Sequence, residues 1–236
     1  MKICAVVPLN APGQAKSRLA QALSGHERAA LVRWMAGRVL AALRESGAVA
    51  EVAVISPSPA LLAWAAARGA QPLRQWTGDL NDGLELGRRW AQARGADALL
   101  VLLGDLPYLA GKEVADLAGM VQSTDERRLV VLAPDGGGHG TNGLLMRPLD
   151  ALPFGFGPES LARHARLAAD AGLDPLWYAS YGTAHDLDTP DDLRALIASG
   201  RWTPRTGGGA EGGAGVTCGC ERAPERARAR TGVGEP

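Results

Sequence analysis

The chain of 236 residues is predicted to be an α/β protein with three layers, helices covering both faces of a mostly parallel central sheet. Three observations predict this. Short aliphatic runs alternate with long Ala-, Leu- and Arg-rich stretches, the pattern of strands joined by crossover helices. Several of the runs are apolar at every position, as strands buried on both faces must be. Charged residues then stand past two of them, Asp105 just beyond one run and Lys16 with Arg18 after a Pro/Gly loop that follows another, at strand ends, where open α/β sheets bind ligands.

Taken in order, residues 3–7 (ICAVV) form the first strand and end at Pro8. Residues 26–46 form a packing helix, because Leu31, Met35, Val39 and Leu43 recur at helical spacing while Arg28, Arg33, Arg38 and Arg44 fall largely elsewhere. A strand at 52–56 and helices at 60–68 and 80–94 follow, then the strand at 98–103 and a helix at 112–121. Strands at 129–133 and 143–146, a helix at 158–171, a strand at 176–179 and a helix at 190–199 complete the set. The last helix opens as Asp188-Thr189-Pro190, with Thr189 as N-cap and Pro190 in the first helical position.

Length suits one sizeable domain, assigned to residues 1–202. After Trp202 the composition turns to Gly, Ala, Arg and Glu with few large apolar residues. Residues 203–236 are therefore expected to form a flexible tail. Its Arg226, Arg228 and Arg230 either touch RNA or an acidic partner or, as nearby glutamates and the lack of aromatics favour, are simply solvated. The formal net charge is zero, which argues against a nucleic-acid partner. The N-terminal MKICAVVPLN breaks its apolar run at Pro8, too early for a signal sequence or a membrane span. A cytoplasmic protein without membrane contact is expected. Cys4 reads as a small core residue, and Cys218 and Cys220 supply neither a disulfide framework nor enough zinc ligands. The apolar helix residues permit a homodimer.

Four stretches carry chemistry. In VVPLNAPGQAKSRLA, a buried strand runs into a Pro/Gly loop followed by Lys16 and Arg18; amides, a helix start and two cations suit a polyphosphate, although a solvated loop has the same composition. In LLVLLGDLPYL, Asp105 stands at the end of a buried strand, as either a cap or a metal ligand. In YGTAHDLDTPDDL, Asp186 and Asp188 alternate around Leu187, so an extended backbone turns both carboxylates to one side. With Asp105 they make three hard oxygen donors, the preference of Mg²⁺ rather than zinc; as turn and capping residues they need no metal. Asp191 and Asp192 suit the first turn of the last helix. Finally, the glycine-rich DGGGHGTN and the later FGFGPESLARH offer amides and the Thr141 and Ser160 hydroxyls to a small anion, with Gly157 ahead of the helix. The glycine loop is otherwise only a turn, and His164, one helical turn after Ser160, either faces that site or packs in the core.

With these motifs in order, the chain resembles the guanylyltransferases of coenzyme F-420 biosynthesis, which act on 2-phospho-L-lactate, phosphoenolpyruvate or 3-phosphoglycerate. The resemblance runs over residues 2–198 through VVPLN, AKSRLA, GDLNDGL, GDLP, GTNGLL, FGPES with His164, and DLDTPDDL. It implies a Rossmann-like nucleotidyltransferase fold, GTP as co-substrate, Mg²⁺ as cofactor and pyrophosphate as leaving group. By position, Asp105, Asp186 and Asp188 would hold the metal. Thr141, Gly157 and Ser160 would hold the phosphorylated three-carbon acid. Pro8, Leu9, Lys16, Arg18 and Asn81 would lie on the nucleotide side, with Lys16, Arg18 and Asp105 catalytic. A downstream transferase would accept the guanylylated product. One departure is plain: where the family usually has a Lys after the Pro-hydrophobic pair, this chain has Asn10. A related nucleotidyl- or glycosyltransferase of the same fold, or a non-catalytic nucleotide-binding relative, would share several of these motifs.

Overall fold

The structure, a computed structural model, describes residues 1–11, 16–76 and 79–204. The expected tail lies, beyond Pro204, outside the described residues. The chain runs β1 (Ile3–Pro8), a single 3₁₀ turn (Ser17–Leu19), α1 (Gly25–Glu45), β2 (Glu51–Ser56), α2 (Pro59–Ala66), β3 (Gln71–Arg74), α3 (Leu80–Ala93) and β4 (Ala98–Leu102). It continues through α4 (Gly111–Gln122), β5 (Leu129–Pro134), β6 (Thr141–Arg147), α5 (Ser160–Asp170), β7 (Leu176–Trp177), α6 (Tyr181–Ala184) and α7 (Pro190–Ala198).

The seven strands form one sheet in the order β3-β2-β1-β4-β6-β5-β7. All pairings are parallel except those of β6 with β4 and β5. Alternation along each strand sorts the core into two layers. Ile3, Ala5, Val7, Leu100 and Leu102 pack with Val39 and Leu43 of α1, Leu61 of α2 and Leu117 of α4. Cys4, Val6, Leu99 and Val101 face the opposite way, toward Leu84 of α3 and Ala168 of α5. The three-layer α/β expectation is met, and Cys4 is the small core residue its context suggests. Close approach in the second layer depends on Gly87, where a Cβ would lie 2.9 Å from Val6.

A third cluster joins Leu31 and Met35 of α1 to Leu187, Leu193, Leu196 and Trp202. It seats the DLDT segment beside the sheet by burying Leu187 alone of its three central residues, as the alternation predicts. Thr189 caps α7 by accepting from the Asp192 amide, with Pro190 in the first turn.

Four elements depart from expectation. Gln71–Arg74 is a strand that its sequence hides, because Pro72 is tolerated only where an edge leaves the missing N–H unneeded. The strand expected at 176–179 contracts to Leu176–Trp177 at the other edge, where both residues are exposed. The helix expected from 158 begins at Ser160 instead, because Gly157 (φ 124°) and Glu159 (φ 54°) hold left-handed backbone that a helix cannot continue. A single turn, α6, was not anticipated.

Candidate active site

The C-terminal ends of β1 and β4 lie side by side, and β6, being antiparallel, brings its first residues to the same edge. Leu102 pairs with Gly143, and the Leu103 amide donates to the Asn142 carbonyl at 3.0 Å. Topology therefore gathers the residues after Pro8, after Leu102 and at Thr141 at one rim. Gly104 makes the rim narrow: a Cβ there would meet Leu9 Cδ2 at 2.2 Å.

A cleft of about 220 Å³ opens at this rim, lined by Pro8, Leu9, Asn10, Lys16, Leu80, Gly104, Asp105 and Asp188 among others. Lys16, the only cation in that described lining, donates from Nζ to Asp105 Oδ2 at 2.6 Å and to Asp188 Oδ1 at 2.7 Å. Burial opposes its charge, but the two carboxylates outweigh burial and hold its pKa above the ordinary lysine value. Its backbone is left-handed (φ 56°), a costly conformation for a side chain with a Cβ. Asn10 lines the cleft where the family pattern has a cation. Arg18 is exposed on the 3₁₀ turn and does not line the cleft.

Behind this pair stands Asp186. Its Oδ1 accepts from Asn142 Nδ2 at 3.2 Å, and the same amide donates to the Thr183 carbonyl at 2.9 Å. Burial, and then the negative charge of Asp105, push the Asp186 carboxyl up from its ordinary value. The Leu187 amide donates to the Asp105 carbonyl at 3.2 Å, tying the two aspartate segments together. Among the described residues, Asp105 Oδ1 is buried with no hydrogen-bond partner, a costly state for a carboxylate oxygen. The three aspartates influence one another electrostatically, yet no three His, Cys, Asp or Glu side chains are grouped as a metal cage among the described residues. The ammonium of Lys16 takes the central place between two of them. An orphaned carboxylate oxygen, a carboxyl destabilised by its neighbours and an all-oxygen donor set fit a hard divalent cation.

The second half of the site is neutral. Thr141 and Ser160 retain only 1% and 3% of their exposure. The Thr141 amide donates to Ser160 Oγ at 2.9 Å, and Thr141 Oγ1 lies 3.0 Å from His164 Nδ1. His164 is fully buried, and its Nε2 accepts from the Gly155 amide at 3.0 Å. Of the two positions open to His164, the packed one is realised, in direct contact with Thr141. Asn81 does not line the cleft. Its Oδ1 accepts from the Phe156 amide at 2.9 Å and its Nδ2 donates to the Phe156 carbonyl at 3.2 Å, clamping the loop that carries Gly157.

The glycine loop corrects one expectation. Its amides do close around an anion, but that anion is the chain's own Asp135, which accepts from His139 and Gly140 at 2.9 Å each. A Cβ at Gly140 would meet Asp135 Oδ2 at 2.7 Å, so the turn requires glycine there. The Leu161 amide, at the start of α5, likewise donates to the His139 carbonyl at 3.0 Å. What this region holds for a ligand is hydroxyls rather than those amides.

A cleft beside acidic side chains, on a mostly parallel sheet, suits nucleotidyl transfer, and comparison with known proteins decides the family. Residues 3–205 match the family described as guanylyl transferase CofC like. The chain belongs to that family. A phosphoenolpyruvate guanylyltransferase of Rubrobacter xylanophilus is 44% identical over 207 residues, covering 87% of this chain and 99% of the relative. A 2-phospho-L-lactate guanylyltransferase of Methanothermobacter thermautotrophicus is 33% identical, covering 86% and 87%. A 3-phospho-D-glycerate guanylyltransferase of Phenylobacterium zucineum is 39% identical, covering 75% and 82%. Among solved structures, a nucleotidyl transferase from Methanothermobacter superposes with a TM-score of 0.62 at 18% identity over 84% of this chain and 97% of its own; at that identity it supports the nucleotidyltransferase fold alone. As a member of the CofC-like family this chain is a nucleotidyltransferase. Among its described residues no helix is long and apolar enough to cross a membrane.

Within this family member, sequence reasoning passed over Asn142 as a link between the two halves of the site. The signal was present in the GTN triplet. An amide buried at a strand start has to spend its hydrogens somewhere, and here it spends them on Thr183 and Asp186.

Proposed function

We propose that this CofC-like enzyme transfers GMP from GTP to a phosphorylated three-carbon acid and releases pyrophosphate. One observation carries the reading: a charged cleft of Lys16, Asp105 and Asp188 and a neutral hydroxyl pair, Thr141 and Ser160, meet at one sheet edge and are bridged by Asn142 to Asp186. In the reaction, an oxygen of the acid's phosphate attacks the α-phosphorus of GTP. The bond from that phosphorus to the bridging oxygen breaks, and pyrophosphate leaves with the electron pair. The phosphate nucleophile is already ionised at neutral pH, so no general base is required and catalysis is alignment and charge neutralisation.

Asp105, Asp186 and Asp188 would hold Mg²⁺, which when bound neutralises and orients phosphate oxygens. Lys16, released from Asp105 and Asp188, would then pair with the triphosphate. Pro8 and Leu9 would form the nucleotide side of the cleft, while Arg18 would need its turn to fold inward to reach a phosphate. Thr141 and Ser160, with the backbone at Gly157, would hold the acid. Asn81 would set the position of the loop around Phe156 from the nucleotide side. The guanylylated product is a reactive anhydride, suited to consumption by a downstream transferase in coenzyme F-420 assembly.

The test is incubation with GTP, Mg²⁺ and each of phosphoenolpyruvate, 2-phospho-L-lactate and 3-phosphoglycerate, following pyrophosphate release and product mass. Phosphoenolpyruvate comes first, since relatives 44% and 43% identical carry its name. Acid-dependent pyrophosphate release with a guanylylated acid supports the proposal, and GTP binding without turnover for any of the three would overturn it.

A further inference from the structure

We propose that His164 is a positioning residue for the acid: by donating from Nδ1 to Thr141 Oγ1 it turns the Thr141 hydroxyl hydrogen outward, toward the acid's anionic oxygen. The inference rests on the reading of Thr141 as an acid ligand. It follows from the two hydrogen bonds of a single ring. The Gly155 amide donates to Nε2 at 3.0 Å, so Nε2 must offer its lone pair. In a neutral ring the hydrogen is then on Nδ1, and the 3.0 Å contact with Thr141 Oγ1 runs from ring to hydroxyl.

Burial, and then the neighbouring Arg163 guanidinium, hold the His164 pKa down to about 4, so the neutral ring prevails at neutral pH. A protonated ring would in any case set an N–H against the Gly155 amide. Because the ring donates to Oγ1, the Thr141 hydrogen is not spent on His164, and among the described residues Oγ1 has no second partner. Ser160 Oγ is in the same state, since it accepts from the Thr141 amide. Two hydroxyls that each accept one hydrogen bond and whose hydrogens are unspent form a neutral anion site. A cation in the same buried place would carry a heavy desolvation cost. Through Nε2 the same ring holds Gly155, so one side chain both orients the hydroxyl and anchors the loop over it.

The experiment separates these two tasks in the full-length enzyme. Asn at 164 places an amide N–H near the Nδ1 position, and Gln places a carbonyl near the Nε2 position. His164→Asn should keep the acid KM near the wild-type value while lowering Tm. His164→Gln should keep Tm nearer the wild type while raising the acid KM about tenfold, the scale for one hydrogen bond to an anion. The KM for GTP should change little in either. Thr141→Val should raise the acid KM similarly, and adding His164→Gln to it should add little, because both remove one interaction.

If the Asn and Gln variants raise the acid KM in step with their loss of Tm, His164 only supports the loop and the proposal is overturned. If Thr141→Val leaves the acid KM unchanged, the acid site itself has been misplaced, a separate failure. Should neither variant fold, ¹⁵N NMR of the wild-type imidazole still decides: a protonated Nδ1 and bare Nε2 support the proposal, and the opposite tautomer overturns it.

Discussion

The two halves of the site handle anionic groups by opposite means. In the cleft, full charges confront one another: Lys16 is pinned between Asp105 and Asp188, and Asp105 Oδ1 has no partner among the described residues. Thr141, Ser160 and His164 are themselves neutral and are joined by hydrogen bonds of 2.9–3.0 Å. Lys16 and Asp105 Oδ1 are themselves buried, so the cleft carries its charge through pairing and through the exposed Asp188. Asp188 is exposed at the cleft mouth, where water screens unbalanced charge, while His164 is fully buried, where an unpaired ion costs several kcal/mol. The open half can exchange one cation for another, and the closed half can only orient dipoles.

The sharpest way to break this comparison is to remove charge from the open half. Asp188→Asn should fold normally and lose about 10²- to 10³-fold in turnover, the scale for one lost electrostatic contact in a transition state. Mg²⁺ should raise the wild-type Tm and leave that of a folded Asp186→Asn protein unchanged. Full turnover in folded Asp188→Asn would return these aspartates to a capping role, for which Asn serves about as well.

Removing hydroxyls from the closed half should act more gently and on one substrate only. The double variant Thr141→Ala and Ser160→Ala should raise the acid KM, each lost bond to an anion costing about 1.5–3 kcal/mol, with GTP affinity by calorimetry preserved. Lost GTP affinity with a normal acid KM would mean that the two ligands sit the other way round. Gly157→Ala should act on the same substrate, because φ 124° strains any residue with a Cβ by about 1–3 kcal/mol, and its Tm should fall.

A pH titration sharpens the contrast. The ordinary histidine value is 6.5, and folding lowers His164 to about 4. Below pH 6.5 the unfolded chain takes up a proton that the folded chain refuses, so this residue's contribution to stability declines as pH falls through the window and levels off below about 4. Urea midpoints of His164→Gln should fall less steeply than wild type over that range; parallel slopes would deny that His164 is buried neutral. The smallest effect is expected from deleting residues 205–236, which hold none of the proposed site residues. Tm and turnover should stay unchanged, and a drop in either would show that the domain ends later than Trp202.

Much of this site was legible in residue order. Asp105 was singled out at the end of an apolar run, Lys16 after the loop that follows another, and Asp186 and Asp188 by their alternation around Leu187, and the structure brings all four to one rim. The alternation around Leu187 correctly turned that residue into the core. Other assignments were not legible. The glycine loop looked like a cradle for an incoming anion, but whether its amides are free depends on where the Asp135 carboxylate folds back. Arg18 looked equivalent to Lys16, yet two positions along a 3₁₀ turn leave it exposed. Asn81 looked like a nucleotide contact, and its amide is spent on Phe156.

The sequence by itself determined the layers, the strand ends and the types of group placed at them, because periodicity and capping are local and each is decided within a few residues. Only the tertiary structure decided which groups are already satisfied. The antiparallel entry of β6 sets Thr141 against α5 and Asn142 against Asp186. The ring that orients Thr141 is held by Gly155, nine residues away in sequence, and the amide that holds Asp186 comes from 44 residues away. Hydrogen-bond satisfaction is a property of the packed whole: each donor and acceptor is spent once, and folding chooses the partner.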